Sequence, residues 1–232
     1  MAQSSAADRR GRRKRARETL AEKRARAGTL AGRLACAYPA LAVPLKHRST
    51  FELLVAVILS AQCTDEAVNK VTPQLFRHYP DAEKLAQASP GDIEPIIRTL
   101  GLYRAKAKSL QRCAQQLIRE FGGHVPSTMD ELTRLAGVGR KTANVMLGHA
   151  FQTAAVIVDT HCRRLSRRLG LTESDDPAKI ESDLSRLLPR RDWTGFSHRL
   201  ILHGRRVCWA RKPACGRCEL SDLCPSKEAS TE

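Results

Sequence analysis

Thr128-Met-Asp-Glu-Leu-Thr-Arg-Leu135-Ala-Gly137-Val-Gly139-Arg-Lys141-Thr-Ala-Asn-Val-Met-Leu-Gly-His-Ala150 reads as two short helices joined at a glycine turn. Thr128 caps the first, Glu131 three residues later completes a capping box, and Leu132 and Leu135 share one face. Gly137 and Gly139 end that helix, because glycine accepts positive φ and lets a second backbone come close. The second helix, Arg140 to about Ala150, then opens on amide N–H groups that no neighbouring side chain caps. Such amides suit a phosphate. Val138 is the apolar plug between the two helices, and Lys141 stands in the first turn of the second.

The totals point to a polyanionic partner. Lys plus Arg exceed Asp plus Glu by 40 − 24 = 16 in 232 residues. The longest apolar run, Phe51 to Leu59, contains Glu52 and is about half the length a bilayer needs, so nucleic acid is favoured over a membrane. Between Asp8 and Arg26 ten Lys or Arg stand against three acidic residues, a surplus of 10 − 3 = 7. Residues 1–27 read as a disordered basic arm that adds non-specific phosphate contacts.

Caps and periodicity predict an all-α protein. Helices are expected over 29–38, 51–59, from the Thr64 cap to 79, 90–100, 104–121, from the Asp159 cap to 169, 177–187 and 193–205. Val156-Ile157-Val158 has strand propensity but no partner strand, so it is predicted to be an extended lead-in to the Asp159 helix. Aromatic residues make up only 4%, which leaves the core to Leu, Val, Ile and Ala.

Eight cysteines divide into two groups. Cys36, Cys63, Cys113 and Cys162 are dispersed through helical segments and read as packing residues. Cys208, Cys215, Cys218 and Cys224 form C-x6-C-x2-C-x5-C, a spacing that suits one metal centre better than disulfides and leaves zinc and an iron–sulfur cluster open. With no secretory signal visible, a reducing compartment is expected, and the Ala- and Arg-rich composition suggests a bacterial cytoplasm.

Leu135-Ala-Gly-Val-Gly-Arg-Lys141-Thr-Ala-Asn, followed by Val158-Asp159-Thr-His161, resembles the helix-hairpin-helix and Gly/Pro-Asp loop of DNA glycosylases of the endonuclease III family. The resemblance spans roughly residues 30 to 226. It implies two helical lobes with a DNA-facing cleft between them: a barrel lobe over 43–153 that carries the hairpin at 128–150, and a cluster lobe of 28–42 plus 154–232. It also implies a [4Fe-4S] centre on the loop 208–224. One departure is Ala136, where the family commonly has proline; losing the ring is expected to soften the hairpin and keep its amides.

The resemblance implies base excision repair of oxidised pyrimidines in duplex DNA by a monomer. A base in a duplex must be rotated out before its sugar carbon can be attacked. Gln62 and Leu102 are implied to fill the gap and wedge beside the opposite base, and Gly137, Val138, Gly139 and Arg140 to hold the backbone. Lys141 is implied to be the amine that displaces the base and forms a Schiff base, which permits elimination of the 3′ phosphate. Asp159 is implied to stabilise positive charge on the sugar, beside a plainer role as helix cap. Ser60, Thr64, Asp65 and His161 are expected around the base. An adenine-mismatch glycosylase fits less well, since those enzymes lack the lysine and carry a further C-terminal domain. A non-catalytic iron–sulfur DNA-binding protein is the remaining alternative.

Overall fold

The computed structural model describes residues 18–41 and 43–227. Among them the chain forms α1 Leu20–Ala37, α2 Thr50–Leu59, α3 Asp65–His78, α4 Ala82–Gln87, α5 Pro90–Ile97, α6 Tyr103–Phe121, α7 Met129–Arg134, α8 Arg140–His149, α9 Thr160–Arg168, α10 Pro177–Leu187 and α11 Trp193–Arg206. No strand occurs among these residues, and no helix is long and apolar enough to cross a membrane.

Two apolar cores divide the helices into two lobes. The first is built on α2, whose residues Glu52 to Leu59 are all buried, and is closed by α3 to α8. Full burial of side chains such as Leu53 or Ile58 contributes about 1.5–3 kcal/mol each. Glu52 is tolerated there because Arg48 answers it, with the Arg48 N–H at 2.7 Å from Oε2 and Nη2 at 2.7 Å from Oε1. The second core joins α1 to α9, α10 and α11 through Leu30, Leu34, Leu165, Leu184 and Leu200. Val145 on α8 packs against both, so the second helix of the hairpin lies on the seam.

The run Val156-Ile157-Val158 is buried, lies outside any helix and pairs with no strand. Side chains do the work of a partner strand. Thr194 Oγ1 accepts from Ala155 N at 3.1 Å, Ser197 Oγ accepts from Ile157 N at 3.0 Å, and Asn144 Nδ2 donates to Val156 O at 3.0 Å. Buried backbone groups must be paired.

Several expectations change. Of the basic arm, residues 1–17 lie outside the described residues, but 20–27 are the first turns of α1. Thr19 and Glu22 form a full capping box there, and Arg26 ties the turn to Glu18 at 2.7 Å and to Leu169 O at 2.6 Å. The charges on this segment masked an ordinary helix start. The short helix α4 has an Asp81 cap that periodicity alone did not separate from its neighbours. Cys113 and Cys162 are buried as expected, whereas Cys36 is exposed and Cys63 half-exposed. Lys106 of α6, although charged, is 5% exposed and donates from Nζ to Cys63 Sγ at 3.0 Å.

Candidate active site

The hairpin forms as its residues dictate. Thr128 Oγ1 accepts from Glu131 N at 3.3 Å, but the Glu131 carboxylate takes the Thr128 hydroxyl at 2.6 Å and not its backbone N–H, so the predicted capping box is only half made. Val138 is buried between the helices. Ala136 uses the N–H that proline would lack: it donates to Gln116 Oε1 at 2.7 Å, and Gln116 Nε2 donates to Arg134 O at 3.1 Å. A side-chain amide from α6 thus grips both sides of the turn where a ring would have stiffened it.

The two glycines have different reasons. Gly137 has φ +81, and an added Cβ would lie 3.0 Å from Ser109 Cβ and 3.2 Å from Ile58 Cγ2. Gly139 has an ordinary φ of −93 and nothing within 4 Å of an added Cβ. Gly137→Ala is therefore expected to destabilise the fold by about 2–4 kcal/mol, from left-handed strain and overpacking. Gly139→Ala is expected to leave stability within about 0.5 kcal/mol and to weaken duplex binding, because the resemblance implies that a phosphate backbone approaches the space its methyl group would fill. Urea midpoints and duplex titrations of the two variants check the contrast; equal destabilisation would refute it.

Gly139 is the N-cap of α8 and supplies no side-chain cap, so the first amides of this helix face outward. Lys141, in that first turn, is exposed, and among the described residues no acid is ion-paired with it. Arg140 has a partner that the sequence did not show. Its guanidinium is bound by Glu181 of α10 at 2.8 and 2.9 Å, and Asn144 Nδ2 also reaches Glu181 at 3.1 Å. An acid from the second lobe claims Arg140, making it a bridge across the seam.

Lys141, Val145 and His149, four residues apart on one face of α8, line a cavity of about 530 Å³ counted to its open mouth. Asp159, Ser60 and Asp65 line it too, with His198, Ile201 and Arg205 from α11. Asp159 caps α9: Oδ1 accepts from His161 N and Cys162 N, both at 2.8 Å, leaving Oδ2 for other use. Asp65 is held by Arg205 at 2.7 Å, and Ser60 Oγ donates to Val57 O at 2.8 Å. Thr64 and His161 are not brought to this cavity. Thr64 is exposed and caps α3 by accepting from Ala67 N at 3.2 Å. His161 packs at Gly204, its Nδ1 3.2 Å from Arg164 Nη2.

The two histidines of the cavity were missed in the sequence. The spacing of Lys141, Val145 and His149 could have placed His149 there; His198 needed the fold. Their rings meet edge to face at 5.0 Å. Burial, followed by the charges of His198 and His47, pushes His149 down to about 4. Burial also lowers His198, helped by Arg205 and Arg199 against the pull of Asp159 and Asp65. Near pH 7 the cavity therefore carries two neutral imidazoles. Unfolded, His149 titrates near pH 6.5. Between about 6.5 and 4 the unfolded chain takes up a proton the folded chain refuses, so stability falls as pH drops through that window and is complete above it. With the ring partly solvated, His149→Gln should reduce the loss of stability between pH 7 and pH 4.5 by about 1–2 kcal/mol. Urea midpoints at both pH values read this, and an unchanged pH dependence would exonerate His149.

Gln62 and Leu102 are the other exposed candidates, and both sit in the left-handed region, at φ 56 and φ 58. Leu102 is 60% exposed. The two loops adjoin: an added Cβ on Gly101 would come within 3.9 Å of Gln62 O. The Lys106–Cys63 contact ties the Gln62 loop to α6, just beyond Leu102. Non-glycine residues held at positive φ cost about 1–3 kcal/mol, and such strain concentrates at functional positions.

In the second lobe, Cys208, Cys215, Cys218 and Cys224 are free of disulfides and line one cavity with Leu165, Leu169, Val207 and Leu220. The loop has only a 3-10 turn at Cys215–Arg217. Arginines of α9 hold its carbonyls, Arg164 Nη2 reaching Cys208 O at 2.9 Å and Arg168 reaching Trp209 O at 2.7 Å and Ala210 O at 2.8 Å. No three of the four sulfurs come within 4.8 Å of one another. All four thiols line this one cavity, so the residues present fit a single centre held by four thiolates.

Residues 55–190 match the family model of HhH-GPD superfamily base excision DNA repair proteins. The chain belongs to this family. Residues 208–224 match the iron-sulfur binding domain of endonuclease III. Endonuclease III of Synechocystis sp. is 52% identical over 212 residues, which are 91% of this chain and 97% of that one. Endonuclease III of Escherichia coli is 40% identical over 184 residues, 79% of this chain and 87% of that one. In a solved structure of a trapped endonuclease III–DNA covalent intermediate, the protein is 40% identical, with a TM-score of 0.86 over 90% of this chain and 99% of that one. The chain is a base excision repair DNA glycosylase and abasic-site lyase that works on duplex DNA, and its cofactor is a [4Fe-4S] cluster. The adenine-mismatch and non-catalytic alternatives are not favoured by these relatives.

Proposed function

We propose that this chain removes oxidised pyrimidines from duplex DNA, with Lys141 as nucleophile and Asp159 as its electrostatic partner. The observation that carries this is one cavity, lined by both residues, opening beside the uncapped amides of α8. Those amides hold a phosphate while the damaged nucleotide turns into the cavity. The Lys141 amine, once free of its proton, forms a bond to the sugar C1′ as the bond to the base breaks and its electron pair leaves with the base. The Asp159 carboxylate stabilises positive charge on the sugar during that exchange. Ring opening gives the Schiff base, loss of a C2′ proton follows, and the 3′ phosphate departs by β-elimination. Gln62 and Leu102 occupy the space left in the helix. Cys208, Cys215, Cys218 and Cys224 would hold the cluster, which supplies a rigid cross-link for the basic loop when bound.

The lobes are assigned as 43–153 and as 28–42 with 154–232, a division the two cores support except at Ala155, which packs in the first, and Ala27, which packs in the second. The protein acts as a monomer on the bacterial nucleoid. Incubation with borohydride and duplexes that each carry one oxidised pyrimidine is expected to give a covalent protein–DNA adduct. Binding of the same duplexes without adduct or strand cleavage would overturn the reading.

A further inference from the structure

His203, near the end of α11, is 1% exposed and makes two contacts of opposite polarity. Its Nε2 lies 3.3 Å from Cys218 Sγ, and its Nδ1 lies 3.0 Å from the hydroxyl of Tyr38, just beyond α1. A cluster-ligating cysteine is a thiolate and has no proton to give. Nε2 must therefore carry the hydrogen directed at sulfur. Nδ1 then presents a lone pair, and the Tyr38 O–H donates to it. One tautomer satisfies both contacts.

Tyr38 is itself held from two further sides. Its carbonyl accepts from Arg199 Nε at 3.0 Å, and its ring lies under the Arg206 guanidinium at 5.7 Å. The Glu219 carboxylate, 3.7 Å from Nδ1, is beyond hydrogen-bonding distance and leaves that nitrogen to Tyr38. Cys218 Sγ also receives the Leu220 N–H at 3.4 Å. A donor aimed at a ligating sulfur withdraws electron density from it and favours the more negative, reduced cluster.

We propose that His203, oriented by Tyr38, is a positioning residue whose hydrogen bond to the Cys218 thiolate raises the reduction potential of the cluster and links α1 to the cluster loop. This rests on the reading of Cys218 as a cluster ligand. Spectroelectrochemical titration of the cluster-loaded full-length protein tests it. His203→Leu should raise the ratio of oxidised to reduced cluster at least threefold at the native midpoint, about 28 mV for a one-electron couple. Tyr38→Phe removes only the hydroxyl and should move the potential the same way by less. His203→Gln, whose amide can donate, should recover part of the shift. A native potential in loaded His203→Leu overturns the proposal. If that variant loses its iron, a native potential in Tyr38→Phe does so instead. Iron content of Cys218→Ala tests the ligand reading separately: full iron there refutes the ligand assignment, whereas lost iron beside unmoved potentials refutes only the hydrogen bond.

Discussion

Lys141→Ala is expected to lose strand cleavage at abasic sites by about 10³-fold or more and to form no borohydride adduct, while duplex affinity stays within about tenfold. The two effects separate because they rest on different atoms. Cleavage needs the Nζ lone pair, for which the cavity offers no substitute amine: Arg205 is committed to Asp65, and its guanidinium stays protonated. Affinity draws on the amides of α8 and on the wider basic surface, where one exposed cation adds about 1 kcal/mol or less. Lys141 also has no ion-pair partner among the described residues, so its removal leaves no buried charge behind, and the variant should fold normally. Single-turnover cleavage, trapping and a salt titration of binding together read the prediction. Undiminished cleavage in the variant would end the nucleophile assignment.

Asp159→Asn is expected to slow base release by about 10²-fold with stability nearly unchanged, whereas Asp159→Ala should slow it similarly and also cost about 1 kcal/mol of stability. On the proposed reading Asp159 has two tasks on two oxygens. Oδ1 closes the start of α9 through two 2.8 Å bonds, a task asparagine performs almost as well. Charge on the cavity side is lost in both variants. Comparing glycosylase rates with thermal or urea stability therefore separates cap from chemistry. A wild-type rate in Asp159→Asn would reduce Asp159 to a helix cap.

Much of this protein follows from local rules. Thr128, Gly137, Val138 and Asp159 occupy positions where caps, positive φ and plug packing are settled within a few residues, and the structure places all four as their types require. Likewise the isolation of Val156-Ile157-Val158 was enough to predict an extended segment, although not that Asn144 and Ser197 would bond its backbone. Where local rules fell short, a distant partner intervened. Arg140 pairs with Glu181, 41 residues away, a partner that no local rule supplies. Lys106, a charge that local rules would leave in solvent, lies against Cys63, 43 residues away. Ala136 was expected to loosen the hairpin, and Gln116 from α6 grips it.

By itself the sequence determined the helices, the glycine turn, the four-cysteine loop and the polyanion-seeking charge, because each depends on backbone propensity or on neighbours within one or two turns. Only the folded chain could choose which polar groups meet across the seam. It set Lys141 and Asp159 around one cavity with His149 and His198, and it brought the four cysteines of the loop around another. Those outcomes depend on distances between residues far apart in sequence, and such distances are fixed by how the two cores pack, which no local periodicity encodes.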